Sequence, residues 1–253
     1  MISVCFTYFR SLALANLRAA LYSVRQQDLS SVERIIIVDN NTEDAVESIQ
    51  NEIDALAFPV PTMLHSHKHG DETKTHPWST NEAVRHATAP WVLFSRADYI
   101  LDFNLLSRFS AVVRERPQTW DGFVTANVFH LNADIAACEA TPWRGSGVSA
   151  LRALPGIEED HTVIDSGVWL ARKESFARVH GLNESLSAWG HAQTHFQYKL
   201  FATGTEFIRI PEPLFFHPRH SAPRDLALAH EQLAQQGVEL KEMWRRYAGR
   251  SPY

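Results

Sequence analysis

One short stretch of the sequence places a cation and an anion at the end of an apolar run. Residues 91–94 have the length and bulk of a buried parallel strand, and Arg96, Ala97 and Asp98 follow shortly after them. In an open α/β sheet the carboxyl end of a strand is where ligands bind. A carboxylate there can hold a divalent cation, and a guanidinium can pair with an anion. A surface ion pair that closes the strand is the other interpretation of the same residues.

A second carboxylate occupies a comparable position nearer the N-terminus. Asp39 follows the mostly apolar run at 34–38, and Thr7, Tyr8 and Arg10 follow the mostly apolar run at 2–6. Asp39 at a strand tip suits hydrogen bonds to the hydroxyl groups of a ligand, with the Thr7 to Arg10 loop beside it. A helix-capping role for Asp39 is the alternative.

The elements that must position these residues alternate between strand and helix. Apolar runs predict strands at residues 2–6, 34–38 and 58–64, and helical spacing predicts helices at 12–27 and from Thr42, as N-cap, to about 56. This order is typical of right-handed crossovers in a parallel sheet. Further along, the patterns predict helices at 79–88, 103–116, 174–179, 191–203 and 225–247, strands at 122–131 and 206–210, and an ordered apolar segment at 167–170.

Two segments lack either period and are interpreted as loops. Residues 65–78 carry four histidines. An exposed loop is favoured there over a metal site, because no helical i, i+4 pair and no cysteine fixes a coordination geometry. Residues 132–165 are interrupted by glycine and proline, and a loop of that length in a compact domain is typically functional or disordered.

Length and composition limit the class of protein. The chain has 253 residues, of which 45% are hydrophobic and 21% charged, and its net charge is -5. These values are typical of a soluble globular protein and give no bulk signal for nucleic-acid binding. Cys5 and Cys138 lack metal-like spacing, so reduced thiols are expected. No basic leader and no long apolar run is present, which favours a cytoplasmic protein, and without repeats or linkers residues 1–253 are predicted to form a single domain.

Several segments together resemble family 2 glycosyltransferases of the GT-A fold. Residues 181–190, G-L-N-E-S-L-S-A-W-G, are similar to the G-F-D-E-x-F-x-x-W-G stretch that precedes the catalytic helix of that family. The opening strand and loop, the run I-I-I-V-D-N-N-T-E-D at 35–44, Asn81 and Asp98 fall in the family's order, and the resemblance covers residues 2–220. It implies an α/β fold with a Rossmann-like, mostly parallel central sheet flanked by helices. It also implies a nucleotide-sugar-binding half at 1–100, an acceptor-binding half at 101–220 and a C-terminal helical extension at 221–253.

The resemblance further implies a site for a nucleoside diphosphate sugar. Such a donor needs a carboxylate for its base or ribose hydroxyls and positive charge for the leaving diphosphate. Asp39 would hold the nucleoside, and Asp98 with His217 or His220 would hold Mn or Mg, with ordinary loop packing as the alternative for both histidines. The implied donor-binding residues are Thr7, Tyr8, Arg10, Asp39, Asn81, Arg96, Ala97 and Asp98, and the implied acceptor-binding residues are Trp189, Gly190 and Gln193.

Two positions depart from the family's pattern. Its usual Asp-x-Asp motif begins here with Arg96, and its Glu-Asp pair shortly after Trp-Gly is replaced by Ala192 and Gln193. Glutamine cannot accept a proton from the acceptor hydroxyl, so His191 and Asp165 are the candidate bases. Arg96 would repel a cation but pair with diphosphate oxygens, so we hypothesise that metal dependence is weak or absent. In the alternative, Arg96 points to a surface acid and Asp98 holds the metal with a histidine.

The sequence therefore predicts transfer of a sugar from a nucleoside diphosphate sugar to a hydroxyl acceptor, with inversion expected from the resemblance. One alternative is a non-catalytic sugar-nucleotide or glycan-binding module that has lost its base. Another is a transferase acting on modified nucleic acid, which only Lys68, Lys74 and Arg85 indicate. Residues 132–165 are expected to cover the acceptor and to become ordered when the donor binds. The C-terminal helix is expected to pack on the body of the protein or on a second subunit.

Overall fold

The computed structural model describes residues 1–9, 12–40, 42–68, 76–160, 167–186 and 191–220, together with residue 234. Strands in this part of the chain are β1 (Ile2–Phe9), β2 (Val32–Asn40), β3 (Thr62–His67), β4 (Trp91–Arg96), β5 (Ile100–Leu101), β6 (Gly122–His130), β7 (Glu158–Asp160), β8 (Val168–Arg172) and β9 (Glu206–His217). The α-helices are α1 (Leu14–Arg25), α2 (Val46–Ala55), α3 (His76–His86), α4 (Leu105–Arg114), α5 (Ile135–Glu139), α6 (Trp143–Ser146), α7 (Lys173–Arg178) and α8 (His191–Ala202), and a 3-10 helix covers Val148–Ala153.

All of these strands join one sheet in the order β3-β2-β1-β4-β8-β6-β9-β5, with β7 paired to β6. Strands β3, β2, β1 and β4 are parallel to one another, and β8 is antiparallel to both β4 and β6. The expected α/β fold with a central sheet flanked by helices is confirmed. The register aligns Tyr8 with Asp39 and Thr7 with Arg96, so the carboxyl ends of three strands meet at one edge.

The buried residues of the central strands alternate between the two faces of the sheet, as strand geometry requires. Val4, Phe6, Ile35, Ile37 and Leu93 share one core with the apolar face of α1. The intervening residues, Cys5, Ile36, Val38, Phe94 and Trp169, share a second core with α3 and α8. The sheet is therefore covered on both faces, which holds its carboxyl edge in place.

The second core is built around aromatic side chains. Trp169 is fully buried, and its ring stacks on Phe94 at 5.1 Å and on Phe123 at 5.8 Å between ring centroids. Truncation of a buried tryptophan typically costs about 3–5 kcal/mol. This core lies directly beneath β4, so it fixes the strand that delivers Arg96 and Asp98.

The segment 132–165 is not the featureless loop that the sequence predicts. Within its described residues it contains α5, α6, the 3-10 helix and β7. Cys138, Trp143 and Leu151 are fully buried and form a third core with Phe216. Each of these elements is too short to repeat an apolar period, so the pattern in the sequence could not reveal them.

Several boundaries also differ from the predicted ones. The third strand covers Thr62–His67 instead of 58–64, and α3 begins at His76, so the predicted loop 65–78 is shorter. Thr42 does not cap a helix, because α2 begins at Val46 with Ala45 as its N-cap. The strand predicted at 206–210 does not end there, because β9 continues through Pro211 to His217 with a shifted register opposite Asn127.

The predicted C-terminal helix at 225–247 lies outside the described residues apart from residue 234. Among the described helices, none is both long enough and apolar enough to cross a membrane.

Candidate active site

Arg96 and Asp98 lie together at the carboxyl end of β4, and both are buried. The Arg96 Nε atom is 3.2 Å from Asp98 Oδ1. Another guanidinium nitrogen of Arg96 donates a hydrogen bond of 3.0 Å to the Tyr99 hydroxyl, and the guanidinium carbon lies 5.0 Å from the Tyr99 ring centroid. Arg96 therefore points inward to Asp98, and not to a surface acid.

Two histidines converge on the other oxygen of Asp98. The Nε2 atoms of His217 and His220 lie 3.3 Å and 3.1 Å from Asp98 Oδ2, and 3.1 Å from each other. The sheet brings them there, since β9 pairs with β5 immediately after Asp98, with Phe216 opposite Ile100. The Tyr99 ring stacks on the His217 ring at 4.7 Å between centroids and fixes its orientation.

The charge states of this cluster follow from its burial. Burial acts to raise the pKa of Asp98, but the Arg96 charge and the hydrogen bonds with His217 and His220 outweigh it and hold that pKa well below its usual range. Burial is also the main reason that the pKa of His217 is lowered to about 4, with Asp98 acting in the opposite direction. At neutral pH the cluster therefore has an ionised carboxylate beside a neutral imidazole.

Asp98, His217 and His220 form a suitable binding site for a divalent cation. If the Nε2 atoms of His217 and His220 both carried hydrogen, their two N–H groups would face each other. If only one of them carried hydrogen, the lone pair of the other would face the Asp98 carboxylate. No proton arrangement of two neutral imidazoles satisfies all three contacts. One carboxylate and two imidazoles, whose donor atoms lie within 4.8 Å of one another, are a suitable ligand set.

Asp39 lies at the same edge, fully buried at the end of β2. Its Oδ1 accepts hydrogen bonds from the Thr42 backbone N–H at 3.1 Å and hydroxyl at 2.7 Å, and its Oδ2 accepts one from the Ser66 hydroxyl at 2.6 Å. Lys68 Nζ is 2.7 Å from Oδ2 and also donates to the Thr42 and Asp44 carbonyls. Asp39 thus anchors the loop after β2 and the end of β3.

The two β1 residues at this edge differ in their partners. The Tyr8 hydroxyl is 3.3 Å from the Leu12 carbonyl and donates a hydrogen bond to the Asp44 carboxylate. Burial, and then that carboxylate, raises the pKa of Tyr8, so its hydroxyl stays protonated. The Thr7 hydroxyl is fully buried and makes no hydrogen bond within the described part of the chain.

The sequence matches the family described as "Glycosyl transferase family 2" over residues 3–129. This match covers half of the chain and includes Asp39, Arg96 and Asp98. The chain belongs to glycosyl transferase family 2. No curated protein matches the sequence at a significant level.

Solved structures with the same fold include two forms of TarS from S. aureus and a mannosyltransferase from Pyrobaculum calidifontis. One TarS structure has a TM-score of 0.63 at 14% identity, covering 93% of this chain and 39% of that chain. TarS in complex with UDP-GlcNAc has a TM-score of 0.64 at 12% identity, covering 88% and 60%. The mannosyltransferase PcManGT, in complex with GDP-Man and Mn2+, has a TM-score of 0.60 at 16% identity, covering 92% and 64%. This family 2 chain therefore spans 39% and 60% of the length of these two TarS chains.

Asn81 of this family 2 chain holds the segment before α8. Its amide nitrogen donates hydrogen bonds to the Leu182 carbonyl at 2.9 Å and to Glu184 at 2.8 Å, and its amide oxygen accepts the Leu182 N–H at 2.8 Å. Gly181 has a φ of 61°, and a Cβ there would lie 2.5 Å from the Asn81 amide oxygen. Asn81 therefore acts on the G-L-N-E segment in this structure, rather than on the Asp98 cluster.

Gln193 stands at the position where the resemblance implies a carboxylate that acts as the base. Its side chain is buried, and its amide oxygen accepts a hydrogen bond of 3.1 Å from the Trp169 indole N–H. Ala192 is also buried in the second core. The amide oxygen of Gln193 is thus paired with Trp169, whereas its amide nitrogen is buried and makes no hydrogen bond within the described part of the chain.

Five of the predicted site residues cannot be placed. Four of them lie outside the described residues, namely Arg10, Asp165, Trp189 and Gly190. His191 is the first residue of α8, but its side chain is not described. Of the cations that indicated nucleic acid, Lys68 is engaged by Asp39 and Arg85 by Glu82 and Glu184, while Lys74 is outside the described residues.

Sequence reasoning missed three residues around the cluster. Tyr99 is described above, and His130 places its Nδ1 atom 3.2 Å from Nδ1 of His217. His76, at the start of α3, is a neutral imidazole. Burial and the Arg96 charge lower its pKa to about 4, while the Asp98 charge acts to raise that pKa. The pairing of β6 with β9 brings His130 opposite His217, and no local sequence signal predicts that pairing.

Proposed function

We propose that this chain transfers a sugar from a nucleoside diphosphate sugar to a hydroxyl acceptor. The observation that carries the proposal is the buried cluster of Arg96, Asp98, His217 and His220 at the carboxyl edge of the parallel strands of a family 2 chain. Ligands of open α/β sheets bind at this edge. The solved structures of the same fold support a donor of this class, since TarS is in complex with UDP-GlcNAc and PcManGT with GDP-Man.

The diphosphate would be neutralised from two sides. Asp98, His217 and His220 would hold Mn or Mg, which when bound supplies Lewis-acid stabilisation of the leaving diphosphate. Arg96 adds a permanent positive charge beside the same carboxylate, and its guanidinium can pair with diphosphate oxygens. Because Arg96 occupies the position of a carboxylate in the usual motif, we infer that it takes over part of the leaving-group stabilisation and makes the reaction less dependent on metal.

The nucleoside would bind along the ends of β1 and β2. Asp39 and its partners Lys68, Thr42 and Ser66 form a polar wall there, and the buried Thr7 hydroxyl lies next to it in the sheet. All four lone-pair positions of Asp39 are engaged, so a donor hydroxyl has to share an oxygen with one of these groups. The half-buried Lys68 side chain is the partner best able to move.

The acceptor's proton requires a base other than Gln193. We propose Asp165 and His191 for this role, with Trp189 and Gly190 beside the acceptor. Replacing the true base should lower kcat by ~10²–10⁴. Separate Asp165→Asn and His191→Gln variants test this, with the donor KM measured in each to show that binding is retained.

A second candidate function is a sugar-nucleotide-binding module without turnover. The buried, hydrogen-bonded amide of Gln193 at the position of the base favours it. A panel of UDP- and GDP-sugars decides between the two functions. Stabilisation against heat together with donor hydrolysis or transfer supports the transferase, whereas stabilisation with no turnover of any donor supports the binding module.

A further inference from the structure

A second group of metal-ligating side chains lies away from Asp98, between the edge strand β3 and helix α3. The His86 Nε2 atom is 3.1 Å from Glu82 Oε1, and the His65 Nε2 atom is 4.0 Å from the same oxygen. The two imidazole rings lie 5.0 Å apart between centroids. One nitrogen from each histidine and one Glu82 oxygen all fall within 4.8 Å of one another.

The fold produces this convergence from residues that are far apart in the sequence. Glu82 and His86 are one turn apart on α3, so they share a face of the helix. His65 lies in β3, opposite Val38 of β2, and β3 is the end strand of the sheet order. This is the helical i, i+4 pair that the histidine-rich stretch itself lacks, and the strand supplies the third ligand.

The environment of the three residues suits a transition metal. Burial, followed by the proximity of His86, lowers the pKa of His65, so its imidazole is neutral at pH 7. Arg85 binds Oε2 of the Glu82 carboxylate, so Oε1 faces both imidazoles. Arg85 thereby orients the carboxylate, as residues that hydrogen-bond to metal ligands typically do. The Nε2 atom of His86 is inaccessible to solvent and has no hydrogen bond of good geometry in the described part of the chain, although it lies close to Glu82 Oε1.

We propose that His65, Glu82 and His86 form a zinc-binding site that joins the edge strand to α3. Two imidazoles and one carboxylate are a ligand set that Zn²⁺ uses with a water as fourth ligand. At the Asp98 cluster the donor's diphosphate would add the oxygen ligands that Mg²⁺ and Mn²⁺ prefer, and no such ligand is proposed beside His65. Ligand atoms of a tetrahedral zinc site lie about 3.3 Å apart, given Zn–N distances of ~2.0–2.1 Å. The His86 to Glu82 distance already matches, and rotation of the partly exposed His65 side chain closes the longer one.

The bound metal would act as a cross-link. Ser66, the neighbour of His65, donates a hydrogen bond to Asp39, and Asn81, the neighbour of Glu82, holds the segment before α8. Zinc at this position would therefore tie together β3 and α3, which both border the proposed donor site. None of its three ligands belongs to the Asp98 cluster.

The test measures zinc binding in a His217→Ala, His220→Ala background, which removes both imidazoles of the other cluster. Tag-free protein of this background should bind one equivalent of Zn²⁺ by calorimetry and melt at a higher temperature with zinc than in chelator. Adding His65→Ala, Glu82→Gln or His86→Ala should each weaken binding by on the order of 100-fold or more. His180→Asn, an exposed histidine outside the group, is the matched control and should bind as the background does.

Zinc binding that is absent from the background, or unchanged by all three added substitutions, would overturn the proposal. X-ray absorption on the zinc-loaded background protein provides a measurement that does not depend on the added variants folding. Two imidazole ligands per zinc support the site, and a shell with no imidazole contradicts it.

Discussion

The most unusual residue of the site is Arg96. Its guanidinium lies at Oδ1 of Asp98, and both histidines lie at Oδ2 of the same carboxylate. A cation and a guanidinium can therefore act together on a diphosphate, although the guanidinium charge weakens cation binding through repulsion. How much of the leaving-group stabilisation each supplies is a measurable quantity.

We predict that the wild-type protein keeps part of its transfer activity in excess chelator and that this part depends on Arg96. Arg96→Ala should lower chelator-resistant turnover by ~10²–10³, as the loss of one stabilising donor typically does. Arg96→Lys is the matched control, since it keeps the charge but not the planar fork, and it should recover part of the loss. Turnover that chelator abolishes and Mn or Mg restores would contradict the hypothesis.

Asp39 gives a second prediction at this scale. Asp39→Ala should weaken nucleoside diphosphate binding by about 10–100-fold, because it removes the acceptor that organises Lys68, Ser66 and Thr42. Calorimetry measures the affinity, and circular dichroism checks the fold. Asp28→Ala, which makes the same charge change at an exposed position, should bind as the wild type does. Equal affinity in Asp39→Ala would remove Asp39 from the donor site.

His76 gives a prediction for stability against pH. Its folded pKa of about 4 lies below the ordinary value of 6.5, so the unfolded chain binds the proton first. The stability that this group contributes is fully present above pH 6.5 and is lost as the pH falls towards 4. The slope is at most about 1.4 kcal/mol per pH unit, and less here because His76 is not completely shielded from solvent. In chelator, His76→Gln should reduce the slope of the denaturant-measured stability between pH 6.5 and 4, while His217 still contributes to it. An unchanged slope would count against this account.

At the scale of elements, long periodic segments were predictable and short ones were not. The alternation of apolar strands and amphipathic helices up to β4 predicts the parallel half of the sheet, since each element there is long enough to repeat its period. By contrast, α5, α6 and the 3-10 helix are short and are stabilised by tertiary burial of Trp143 and Leu151. The pairing of β6 with β9 is likewise a long-range contact, so the sequence could suggest His217 and His220 by resemblance but not His130.

The segment between α7 and α8 offers a prediction at this scale. Gly181→Ala should destabilise the protein by about 1–3 kcal/mol, because its φ of 61° disfavours a side chain and a Cβ would lie 2.7 Å from Phe176. Gly145→Ala is the matched control, since a Cβ at Gly145 meets nothing within 4 Å, and it should be neutral or stabilising. Urea unfolding measures both, and equal midpoints for the two variants would show that the backbone at Gly181 is unstrained.

For the whole molecule, the proposed site draws on both parts of the sheet. The parallel strands β1, β2 and β4 provide Thr7, Asp39 and Arg96, whereas His217 comes from β9, on the far side of β8 and β6 in the sheet order. A ligand held by Asp98 and the two histidines therefore fastens the end of β9 to the end of β4. Binding there should stabilise the native chain as a whole, since only the folded state brings these residues together.

The last prediction separates the two candidate metal sites by the stability of the whole chain. Mn²⁺ should raise the melting temperature through the Asp98 cluster. At a concentration 100 times its Kd, it should stabilise the native chain by about 2.7 kcal/mol. A nucleoside diphosphate should add to this effect, because its oxygens complete the coordination that three protein groups leave open. The Mn²⁺ response should vanish in the His217→Ala, His220→Ala variant and persist in His86→Ala, which removes a ligand only from the group between β3 and α3. A Mn²⁺ response that follows His86 instead would show that the Asp98 cluster is not the manganese site, and Arg96 would then be the main source of positive charge for the donor's diphosphate.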